Sequence, residues 1–61
     1  MTVKYAVSFE HDTQPVVTIR GEATGTSFAS LFARAARAAK KQAGNKRWRS
    51  AVCVIEKLEE D

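Results

Sequence analysis

From Thr2 to Glu10 the chain alternates without a break: Val3, Tyr5, Val7 and Phe9 are apolar, and Lys4, Ala6, Ser8 and Glu10 between them are polar or small. A period of two is the mark of a β-strand with one face against a core. His11-Asp12-Thr13-Gln14-Pro15 reads as a turn, because Pro15 has no N–H to give to a ladder and Asp and Thr bond readily to their own backbone. Val16 to Arg20 is a short β-branched run with Val17 and Ile19 on one face. Two such runs joined by a short link predict a β-hairpin.

The period changes at Phe28. At roughly 100° per residue, Phe28, Leu31, Phe32, Ala35 and Ala39 fall on one stripe, Arg34, Arg37 and Lys41 lie nearly opposite, and Lys40 stands at their edge. This spacing predicts an amphipathic helix from about Phe28 to Ala43. Its frequent Ala favours helix intrinsically, Thr26 or Ser27 offers a capping hydroxyl, and Gly44-Asn45 supplies a left-handed stop. Trp48 to Ile55 reads as a third strand led in by Lys46-Arg47. Val52 and Val54 fall on one of its faces and Ala51, Cys53 and Ile55 on the other, the pattern of a strand covered on both sides. Lys57 to Asp61 reads as a frayed, solvated acidic tail.

The order ββαβ predicts an α+β fold within a single domain, residues 1–61. The sheet is expected to be three-stranded and antiparallel in the order 2-1-3, with the helix on one face. The other face is left without a cover. If Val52, Val54 and Trp48 lie there beside Ala6 and Ser8, it invites a second subunit, so a homodimer through this uncovered face is expected.

Length adds weight to that expectation. With 61 residues, a chain hides only about 60% of its unfolded surface, so the core is thin. One Cys, Cys53, permits no internal disulfide, and no cluster of residues has metal-ligand spacing, so neither usual staple of a very small domain is at hand. No metal or other cofactor is expected. The alternating start is unlike a signal or transit peptide, and no apolar run nears the roughly 20 residues that span a bilayer. A soluble cytoplasmic protein is expected.

The charge distribution changes the picture more than the net value of +3. No acid occurs between Ala23 and Ile55, whereas Arg34, Arg37, Lys40, Lys41, Lys46, Arg47 and Arg49 all do, seven of the ten cations in the chain. Such asymmetry suits an anionic partner. Arg34, Arg37 and Lys41 line one helix side, and Lys46, Arg47 and Arg49 continue the positive surface past the helix end. Trp48 sits among these cations, either as a ring that stacks on bases or sugars while the cations hold phosphate, or as the largest anchor of the core. A solvated helix face is the plainer account of the stripe, but no acid is near enough to supply the i,i+4 pairs that would explain it.

Other chemistry is weakly represented. Gly21 to Ser27 lacks the Lys-Ser/Thr of a phosphate loop and reads as a turn and cap. His11-Asp12 provides no nucleophile and no third ligand, and Cys53 lies mid-strand, where Cys behaves as a small hydrophobe. A non-enzymatic protein is expected.

A short ββαβ module with an Ala-rich basic helix, a Gly44-Asn45 stop and Trp48 at the opening of its last strand resembles small phage-encoded accessory proteins, including anti-CRISPR and host-takeover factors. The resemblance implies stoichiometric binding to host machinery or to nucleic acid. The expected function is thus contact of the basic face with nucleic-acid phosphates or a nucleoprotein, largely independent of sequence. The alternative is an inhibitor or adaptor that meets an acidic protein surface with the same cations.

Overall fold

The computed structural model describes residues 1–59. It has the α+β order ββαβ: β1 (Thr2–Glu10), β2 (Val17–Thr24), α1 (Phe28–Ala43) and β3 (Ser50–Glu59). The strands form one antiparallel sheet in the order β2-β1-β3, as the alternation and the crossover predict. Central β1 pairs on both sides: Val7 stands opposite Ile19 of β2 and Cys53 of β3, and Tyr5 opposite Gly21 and Ile55. Its alternate residues Val3, Tyr5, Val7 and Phe9 are buried, and α1 covers their face. The helix lies mainly over β2 and β1 and touches β3 least.

Local chemistry sets the helix ends. The Ser27 hydroxyl accepts from the Ser30 N–H at 3.2 Å, satisfying one of the orphan donors of the first turn. At the other end Gly44 has φ 89° and ψ −179°, a region essentially reserved for glycine. Its N–H bonds back to the Lys40 carbonyl at 3.0 Å and closes the last turn.

The buried line of α1 is narrower than the periodicity predicts. Leu31, Ala35 and Ala39 are fully buried, but Phe28 and Phe32 stay 49% and 39% exposed. Two alanines at the contact let the helix approach the sheet closely, which leaves the bulky rings at the entry turn and on a flank.

Both outer strands differ from expectation in extent. β2 runs past Arg20 to Thr24, because Gly21, Glu22 and Ala23 continue to pair with Tyr5, Lys4 and Val3. β3 opens at Ser50, so Trp48 precedes it. It continues to Glu59, so Lys57, Leu58 and Glu59, expected in a solvated tail, pair instead with Lys4, Val3 and Thr2. A bulge makes this possible: Tyr5 pairs with Ile55 and Lys4 with Lys57, leaving Glu56 as the extra residue. The rest of the expected tail, residues 60–61, lies outside the described residues.

The uncovered sheet face is more polar than expected. Thr2 and Thr24 hydroxyls lie 3.2 Å apart, Ser8 and Thr18 hydroxyls 3.1 Å apart, and the Ser50 hydroxyl donates to the Glu10 carboxylate at 3.3 Å. Arg20 on β2 reaches Glu56 on β3 at 3.4 Å, spanning Ala6 between them. Among the described strand residues, Val52 and Val54, at 56% and 52% exposure, are the large apolar side chains on this face, and Trp48 is not there.

Candidate functional site

Seen from the buried line of α1, the cations divide into two groups. With Ala35 at the centre of the contact, Arg37, Lys40 and Lys41 point roughly 160°, 140° and 120° away from the sheet, and Arg34 only about 100°. All four are exposed. Arg34 lies on the flank nearest β2, where its guanidinium donates to the Thr24 carbonyl at 2.5 Å. Its guanidinium is thus tied to the end of a strand, a contact that the helical spacing does not show.

Lys40 and Lys41 occupy the last helical turn. There the partial negative charge of the helix end favours cations by about 0.3–1 kcal/mol. That accounts for some of their presence, but not for Arg37 one turn earlier. Among the described residues, Arg37, Lys40, Lys41 and Arg47 form no ion pair or side-chain hydrogen bond.

Lys46, Trp48 and Arg49 stand at the sheet end where the connection 44–49 meets the hairpin turn 11–16. The Lys46 ammonium donates to Gln14 Oε1 at 2.9 Å and hangs 5.9 Å from the centre of the Trp48 ring. Arg49 lies 3.7 Å from Asp12 Oδ1. The Trp48 ring tilts against Phe9 at 5.4 Å, meets His11 edge-on at 6.0 Å, and donates its indole N–H to the Gly44 carbonyl at 3.2 Å. Trp48 is part-buried in the rim of the core, with its polar edge closing the helix end. The ring faces it would offer to a base are largely occupied, so its anchoring role prevails over stacking.

Sequence reasoning did not single out Gln14 and Asp12 as partners of Lys46 and Arg49. More than 30 residues separate each pair, and only the antiparallel sheet brings the two turns together. The exposed Arg49–Asp12 contact is worth at most about 1 kcal/mol, so it does not hold Arg49 away from a stronger anion.

Little else on the surface offers chemistry. Among the described residues no three His, Cys, Asp or Glu side chains gather as a metal site, and no helix is long and apolar enough to cross a membrane. Cys53 is half-buried on the helix side of β3, and burial raises its thiol pKa above the ordinary 9.0. A raised pKa keeps the thiol protonated and makes it a poor nucleophile. No protein-family model, curated protein or solved structure matches this chain.

Proposed function

We propose that this chain is a non-enzymatic nucleic-acid-binding protein whose outward helix face grips phosphate. The observation that carries the reading is the set Arg37, Lys40 and Lys41 on the helix, with Arg47 in the connection after it, all exposed and without an acidic partner among the described residues. A cationic face without acids can neutralise phosphates, and the cations condensed on the nucleic acid are then released, which drives association. Arg34, Lys46 and Arg49 extend the face from its margins, each through a contact weak enough to be exchanged. Recognition is largely sequence-independent, because phosphate contacts position a protein without reading bases and Trp48 is committed to the core rim. In this reading the protein acts stoichiometrically in the cytoplasm, as the small phage-encoded accessory proteins it resembles do. An acidic protein surface is the competing partner for the same cations.

The test is a titration of labelled single- and double-stranded DNA and RNA at several salt concentrations. Four neutralised phosphates give a slope of about −3 to −4 in log affinity against log salt on duplex DNA. Joint reversal by Arg37→Glu, Lys40→Glu and Lys41→Glu abolishes this binding, while Lys4→Gln on the far sheet face leaves affinity within about twofold. Absence of binding to every nucleic acid at low salt overturns the proposal and leaves the acidic-protein reading in its place.

A further inference from the structure

We infer that β3 is the contact edge of a two-fold dimer, pairing antiparallel with β3 of a second copy so that two three-stranded sheets become one of six strands. This goes beyond the phosphate-binding reading and does not depend on it. It also moves self-association from the uncovered face, which is mostly polar, to the strand edge.

The two edges of the sheet are unlike. β2 carries Arg20 and Glu22 at its middle, and α1 lies over its inner side. Charges on an edge strand are a usual protection against unwanted pairing. β3 has no such protection where it matters: Ala51-Val52-Cys53-Val54-Ile55 is an uninterrupted uncharged run, and the bulge comes only after it, at Glu56. Val52 and Val54 are more than half exposed on one side of the strand. On the other side Cys53 and Ile55 are only partly covered and Leu58 is 42% exposed, because the helix touches β3 least. Phe32, roughly 160° around α1 from the β2-facing Arg34, is on the flank toward β3 and remains 39% exposed. An uncharged edge with apolar side chains on both faces calls for another strand, not for water.

Charge identifies that strand as a second copy in antiparallel orientation. Lys46, Arg47 and Arg49 precede the uncharged run, and Glu56 and Glu59 follow it, with Lys57 the one exception beyond the bulge. Antiparallel self-pairing sets the cationic end of each β3 beside the acidic end of the other, whereas parallel pairing would set like against like. Directly opposed residues must share a sheet face, which limits the possible registers. Pairing centred on Cys53 opposes each Val52 to Val54 of the other copy and each Ala51 to Ile55, gathering four valines on the outer face. A shift of the centre to Val54 would oppose Val52 to Glu56, so the Cys53-centred register is preferred. Both helices then lie on one face of the joined sheet, on either side of the β3 pair.

Sedimentation equilibrium over a concentration series, together with amide hydrogen exchange, tests the inference. A mass that rises to twice 6.7 kDa, and alternate β3 amides that gain protection on dimerisation, are expected. Val54→Lys, at an already exposed position, is expected to keep the wild-type circular dichroism and remain at the single-chain mass with those amides unprotected. A constant single-chain mass up to about 200 μM, at which weak dimers would still populate, overturns the inference. So does a dimer in which the β3 amides exchange as fast as in the monomer, since that contact would lie elsewhere.

Discussion

Tyr5 and Gly21 face each other across β1 and β2, and the phenol ring lies over the glycine. A Cβ added at Gly21 would stand 2.5 Å from Tyr5 Oη and 2.8 Å from Cζ, closer than side chains tolerate. The ring has little room to retreat, because Tyr5 is 3% exposed in a cluster with Val7, Ala35 and Ala39. Gly21→Ala therefore forces overpacking at about 1–3 kcal/mol, offset by roughly 0.5–1 kcal/mol because alanine loses less backbone freedom in a strand. These bounds span about 0–2.5 kcal/mol. The tight 2.5 Å approach to a buried ring places the expected net loss in the upper part, about 1–2 kcal/mol, against a total of roughly 3–9 kcal/mol for a domain of this length. At about 4–8 °C per kcal/mol, the melting temperature falls by roughly 4–16 °C. Urea titration and thermal melting followed by circular dichroism measure it. Tyr5→Phe removes the nearest atom and leaves Cζ at 2.8 Å, so in that background the alanine penalty shrinks by about 0.5–1 kcal/mol, a coupling that a double-mutant cycle isolates. A Gly21→Ala protein as stable as wild type, or an equal penalty in both backgrounds, would refute the reasoning that the ring occupies the space above Gly21.

Two further outcomes follow from burial. Leu31 is fully buried between helix and sheet, so Leu31→Ala is expected to cost about 3–5 kcal/mol and to leave much of the protein unfolded by circular dichroism in the absence of urea; a loss under about 1 kcal/mol would contradict that placement. The Cys53 thiol has a folded pKa above its ordinary 9.0, so the unfolded chain releases this proton first as pH rises. Its contribution is fully present below pH 9.0 and is lost as pH climbs through the folded value. Urea midpoints should therefore fall more steeply above pH 9.0 for wild type than for Cys53→Ala, and parallel curves would count against burial of the thiol.

Much of the fold is legible in the sequence because β1 alternates so cleanly. Its period of two fixes the core face, and the turn residues and the helix spacing then leave few ways to arrange ββαβ. The misjudged boundaries have local causes. Gly21 and Glu22 read as the end of β2, since nothing in sequence shows that a tyrosine on the next strand needs a residue without a side chain there. Ile55 and Leu58 are three apart, which breaks a period of two and reads as tail. The bulge at Glu56 restores Leu58 to the helix side, and only the pairing with Val3 and Lys4 shows it. In the candidate site, exposure of Arg37, Lys40 and Lys41 was legible because it follows from helical geometry once the sheet side is known. The tie from Arg34 to the Thr24 carbonyl was not, because it depends on β2 running on past Arg20 to Thr24 beside the helix.

The central place of β1 also governs how the chain reaches this structure. Its pairing with β2 closes a short loop, but on its other side Glu10 meets Ser50 and Thr2 meets Glu59. The entropy of closing those long loops must be met before the β1–β3 ladder returns anything. The hairpin and α1 form from local contacts, yet until β3 arrives one edge of β1 is bare beside unsealed core residues Val3, Val7 and Phe9. Docking of β3 is thus the most non-local step in closing this core, and a chain that has lost that docking presents the bare edge of β1 to other strands.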